Sequence, residues 1–175
     1  MKIKLLFFTL ILFTQIVFAQ SDFDRNFSAK IGVGNIESNS PSVTSLTLGL
    51  AYTTDFSFLP VPLKIEYQLH KKIEYFFPGE YYEQTYPYLQ SLAVSAVVRE
   101  QISQDWILNF DLGLLLIHDR VFDNSDTFSQ GVNVEISAGY HGERWAYYLG
   151  MNYGLGVTQH NPSFTNFFLM IKYGL

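Results

Sequence analysis

Residues 105–117 alternate without a break. Trp106, Leu108, Phe110, Leu112, Leu114 and Leu116 share one parity; Ile107, Asn109, Asp111, Gly113, Leu115 and Ile117 share the other. Successive side chains of a strand point to opposite faces, so this spacing describes a strand with one apolar and one mixed face. The same period recurs in 44–53, 62–70, 131–141 and 144–156, and more faintly in 27–35, 88–100 and 164–175. Eight strand candidates result, about as long as the ~9–11 residues of a transmembrane strand. Glycines fall inside these runs, where each would weaken a helix, and period 2 outcompetes period 3.6 in nearly every window.

The N-terminus carries a different signal. Lys2 and Lys4 precede the apolar run Leu5 to Phe18, and the small residues Val17 and Ala19 stand before Gln20. This is the pattern of a cleaved signal peptide over 1–19, followed by a single domain over 20–175. No Cys lies near the cut, so a lipoprotein signal does not fit. Removal of that segment leaves nine basic against sixteen acidic side chains, a formal charge of −7. Such a balance repels nucleic-acid phosphates. The chain has no cysteine, which excludes disulfides, thiol catalysis and Cys-type metal sites.

Aromatic residues make up 17 % of the chain and charged residues only 15 %, against roughly 25 % charged in a soluble domain. Beyond residue 19 no apolar run approaches the ~18 residues of a spanning helix. An exported, apolar chain without such a helix has one membrane solution: a closed barrel in which every backbone group pairs with a neighbouring strand. The expected fold is therefore all-β, an eight-stranded antiparallel up-and-down transmembrane barrel. A soluble lipocalin-type barrel with inverted faces is the competing reading. The faces opposite the apolar ones are rich in Gly, Ala, Ser and Thr, which crowd poorly into a ligand-binding core, and the charge content is low for a soluble surface.

Connections near 36–42, 71–87, 118–130 and 157–163 are expected on the outer side, and those near 54–61, 101–104 and 142–143 on the periplasmic side. Long outer loops and short periplasmic turns suit an outer-membrane barrel. Aromatic girdles are expected at both interfaces: Tyr52, Phe56, Phe58, Trp106 and Trp145 on one side, and Tyr67, Tyr88, Phe122, Tyr153 and Phe164 on the other.

The chain ends Phe167-Phe168-Leu169-Met170-Ile171-Lys172-Tyr173-Gly174-Leu175. This resembles the C-terminal strand of outer-membrane β-barrels that the assembly machinery recognises, although those usually end in an aromatic and this chain in Leu175. With the signal segment and the eight strands, the chain is similar to the small OmpA/OmpX-type barrels over nearly its whole length. The resemblance implies location in the outer membrane, with membrane lipid and the assembly machinery as partners. It names no subfamily.

The parity opposite the apolar face places Lys30, Lys64, Glu66, Arg99, Asp111, Glu135 and Lys172 in the lumen. An eight-stranded barrel is just wide enough for its side chains to fill. The expectation is a plugged, salt-bridged interior, with a narrow channel as the alternative. The role that follows is non-enzymatic, structural or surface-binding. The loop aromatics Tyr75, Phe76, Phe77, Tyr81 and Tyr82 are candidates for contact with a surface ligand. No motif calls for a metal or cofactor. The enzymatic alternative is a lipid A-modifying hydrolase of the outer-membrane deacylase type, with His160 and Ser163 as candidate catalytic residues. The family pattern that suggests it places Ser two residues after His, where this chain has Pro162, and no acidic residue follows Glu143.

Overall fold

A computed structural model describes residues 25–38, 40–56, 58–73, 88–120, 127–142, 145–157 and 161–174. Eight strands follow in chain order: β1 Arg25–Ser38, β2 Ser40–Thr54, β3 Leu63–Lys72, β4 Tyr88–Gln101, β5 Trp106–Arg120, β6 Thr127–His141, β7 Trp145–Gly156 and β8 Ser163–Gly174. Each pairs antiparallel with its sequence neighbours, and β1 pairs with β8, so the sheet closes on itself. The expected signal segment, the aromatics of 75–82, Phe122 and His160 lie outside the described residues.

The register sets the shape. A path of paired residues from Tyr173 runs through Phe27, Tyr52, Ile65, Val94, Leu114, Val132 and Leu155. It returns to β8 at Ser163, ten residues from its start. Such a stagger tilts the strands, within the roughly 35–45° usual for barrels. It also means that residues level in the lumen are not direct pairs but lie about one residue further along on each successive strand.

Alternation in sequence becomes alternation in burial. Along β6, Gly131, Asn133, Glu135 and Ser137 are buried while Val132, Ile136 and Ala138 are exposed. Leu114, Leu149 and Phe167 are each at least two-thirds exposed, whereas Glu66 and Glu135 are almost wholly buried. The apolar face is thus outside and the charge inside, the reverse of a lipocalin-type barrel.

Two expectations need correction. Phe164 is not part of an outer girdle: it lies in the lumen, almost fully buried. Its parity matches Asn166, Phe168 and Lys172, and Gly154 opposite it on β7 leaves room for the ring. A Cβ at residue 154 would come within 2.3 Å of that ring. Tyr67 and Tyr153 sit within the apolar band, beside Leu50, Leu92 and Val134, because the strands continue well past them. The strands also run further than expected at that end. Ile36 pairs with Val43, and Ser38 with Ser40 across a register irregularity, where a 36–42 loop was expected. Likewise β5 reaches Arg120 and β6 starts at Thr127. Continued pairing satisfies backbone donors and acceptors that a loop would leave to water.

Replacing Gly154 by Val should push Phe164 from its site and destabilise the barrel by about 1–3 kcal/mol, the usual cost of overpacking. Gly142→Ala, in a turn where the added carbon meets nothing nearer than 3.1 Å, should cost much less. Urea unfolding of both variants in detergent micelles checks the difference.

Candidate functional site: the barrel interior

Five charged side chains from four strands meet in the lumen. Lys30 of β1 is ion-paired with Glu66 of β3 and, at 2.5 Å, with Glu135 of β6. Lys64 of β3 is ion-paired with Asp111 of β5 and lies 2.9 Å from both Glu66 and Glu135. All five side chains are nearly inaccessible to water. Each residue lies on the inward parity of its strand, and the stagger brings positions distant in sequence to one level. The charges interlock: each lysine touches at least two carboxylates, and Glu66 and Glu135 each touch both lysines. Lys30 also stands 4.2 Å from the centre of the Phe168 ring, a cation–π arrangement. A buried charge is tolerated only when so paired.

Of the seven residues expected in the interior, these five form one cluster. Arg99 and Lys172 also face inward, but the register puts them closer to the end of the barrel that carries Arg25 and Gly174. Lys172 is buried and Arg99 only partly so.

Above the charges lies a layer of amides. Asn152 Nδ2 donates to Asn133 Oδ1 at 3.0 Å and to Glu135 Oε2 at 3.3 Å, and Gln68 Nε2 donates to Asn152 Oδ1 at 3.4 Å. Thr47 Oγ1 donates to Asn166 Oδ1 at 2.8 Å and lies 2.9 Å from His70 Nδ1. His70 in turn packs on Phe164, with ring centres 4.3 Å apart.

The interior is not polar throughout. Ile36, Leu89, Ala93, Leu115, Ile117 and Phe164 form an apolar cluster toward the far end. Ala146, Tyr148, Phe168 and Met170 form another toward the end with the short turns. Parity put His70, Leu115, Ile117, Ala146 and Tyr148 on the inward face, but sequence reasoning missed Ile36, Leu89, Phe164, Phe168 and Met170 there, and the meeting of His70 with Thr47 and Asn166. The signal was present in parity: Ile36 shares that of Lys30, and Leu89 that of Arg99. Chemically the arrangement pairs each of its charges with one of opposite sign and immobilises them. Side chains at successive levels are screened from solvent.

Ser163 opens β8 at the far end, opposite Leu155 of β7 and Glu37 of β1, on the outward parity.

No family and no curated protein matches the chain. Solved structures do. Neisserial surface protein A superposes with a TM-score of 0.70 at 14 % identity, over 86 % of this chain and 97 % of that one. This chain has the fold of the small outer-membrane β-barrels. Ail, the attachment invasion locus protein of Yersinia pestis, matches at 0.56 with 9 % identity, over 89 % of this chain and all of the other. The outer membrane enzyme PagL matches at 0.50 with 17 % identity, over 86 % and 99 %.

Lys30→Met removes one of two cluster cations and leaves three buried carboxylates facing one lysine. The expected cost is about 3–5 kcal/mol, as for other broken buried pairs. Adding Glu66→Gln restores the charge balance of the cluster and should recover part of the loss. Urea midpoints of the single and double variants measure both.

Proposed function

We propose that the protein is an outer-membrane β-barrel with a plugged interior and a non-enzymatic role, structural or in surface contact through its outer loops. One observation carries this reading: the outer wall is a continuous apolar band with a defined upper and lower edge. On every strand but β7 the outward residue changes from apolar to polar at one level. Val33 gives way to Asn35, Leu46 to Thr44, Leu69 to Lys71, Leu92 to Gln90, Leu116 to His118, Val132 to Gln130 and Phe167 to Thr165. At the other edge stand the partly or fully exposed rings of Phe27, Tyr52, Trp106, Tyr140, Trp145, Tyr147 and Tyr173. Phe27 packs on Tyr52 and Trp145 on Tyr173, with centroids 4.9 and 4.8 Å apart. An apolar band bounded by aromatic and polar rings matches the hydrocarbon layer and its interface. In water the same band would be a large aggregation-prone patch.

The aromatic edge then faces the periplasm, together with the connections from β2 to β3, β4 to β5 and β6 to β7. The connections at the other edge face outward. The fold shared with Neisserial surface protein A and with the outer membrane enzyme PagL supports a place in the outer membrane. The five-residue ion cluster and its apolar caps support a closed lumen over a channel.

Unboiled and boiled samples should migrate differently on an SDS gel. Equal mobility, with the protein in the soluble fraction, overturns the membrane assignment. Leu112→Arg puts a guanidinium in the middle of the band and should cost about 2–4 kcal/mol of folding into vesicles. Lipid A from cells making the Ser163→Ala variant should carry the same acyl pattern as lipid A from cells making the wild type. A pattern that depends on Ser163 makes the hydrolase the better account.

A further inference from the structure

The apolar band is not smooth. A cavity of about 590 Å³ is cut into its wall across the β8–β1–β2–β3 region, and its lining is almost wholly apolar. That volume falls within the roughly 300–1,000 Å³ typical of sites that hold a small molecule. Its cause is local. Ala29 is the one small residue among the outward positions Phe27, Ile31 and Val33 of β1, and it is exposed. It lies between Leu50 on β2 and Ile171 on β8, its direct pairs, so two long side chains flank a short one.

Below Ala29 two aromatic pairs packed at a tilt, Phe27–Tyr52 and Trp145–Tyr173, form a lip. Above it the groove climbs past Tyr67 to Leu92. By register, Trp145 and Tyr173 stand at the aromatic edge, Leu50, Ile65 and Tyr67 lie within the band, and Leu92 is the last apolar residue of its strand before the outer edge. The depression therefore runs from interfacial depth across the apolar band and opens sideways along the wall.

We infer that this groove seats one acyl chain of a phospholipid in the periplasmic leaflet, with the headgroup beside the Trp145–Tyr173 lip. The inference rests on the membrane reading above and adds a defined lipid site to it. Three features select this occupant. The groove is continuous with the lipid-facing band. It starts at the aromatic edge, where headgroups lie, and most of its lining, from Leu50 to Tyr67, is at the depth of the chains. Its lining supplies almost no polar group to recognise anything but hydrocarbon.

The two tryptophans provide an internal control. Both belong to the aromatic edge, but Trp145 lines the groove and Trp106 does not. The full-length protein is refolded into detergent micelles as the Trp106→Phe variant, which retains Trp145, and as the Trp145→Phe variant, which retains Trp106. Each is titrated with a phosphatidylethanolamine brominated on its acyl chains. Trp145 fluorescence should fall steeply and saturate near one lipid per barrel. Trp106 should fall only as brominated chains come to fill the micelle. Native mass spectrometry of the wild type should show one retained phospholipid. Adding Ala29→Phe, which fills the floor, should abolish both the steep phase and the retained lipid, with gel mobility confirming that the barrel is folded.

The same shallow quenching at both tryptophans with no retained lipid overturns the groove and leaves the membrane barrel standing. Cross-linking of two copies through the Ala29 face, in place of lipid, overturns it as well. If neither tryptophan is quenched at any brominated fraction, the band does not lie in hydrocarbon and the membrane reading itself fails.

Discussion

Every strand of this protein has a hydrogen-bonded neighbour on both sides, and the β1–β8 pairing makes that true at the ends of the sheet. In hydrocarbon an unpaired amide costs several kcal/mol, so an open edge is not a minor defect there but an excluded state. Closure also fixes how much freedom the lumen retains. With eight strands and a ten-residue stagger, the cylinder is narrow and its inward side chains must fill it. The outer wall, the side-chain-filled lumen and the level at which charges meet all follow from this one closed ladder.

A lumen formed in this way faces a conflict. Inward positions are screened from water, yet the chain places two lysines and three carboxylates there. The stagger resolves it by bringing β1, β3, β5 and β6 to one level, where each charge finds partners of opposite sign. The amides of Gln68, Asn133 and Asn152 extend the network upward, and apolar side chains close both ends. Two glycines of β7 make the caps possible. Gly154 faces Phe164 and Gly150 faces Phe168, and in each pair an added Cβ would collide with the ring. Glycine in a strand interior costs entropy, and here it makes room for an aromatic ring across the pair.

Much of this was legible in the residues. Alternation marked the strands, and parity assigned Lys30, Lys64, Glu66, Asp111 and Glu135 to the lumen. Less legible were the inward apolar residues. An isoleucine at position 36 or a phenylalanine at 164 looks the same whether it faces lipid or lumen, and an aromatic near a strand end invites placement in a girdle. Strand ends were also underestimated, because polar hairpin tips such as Ser38 and Ser40 read as loop although their backbones pair.

The sequence by itself determined which face of each strand is apolar and, through that, a barrel with its apolar face outward. Period-2 alternation is a local property, so it survives without knowledge of partners. The tertiary structure alone decided who meets whom. Register is a relation between strands, and a shift of one residue would exchange every face. The ion cluster, the His70 group and the groove at Ala29 each depend on residues from three or more strands at one height, and only the closed, staggered sheet sets that height.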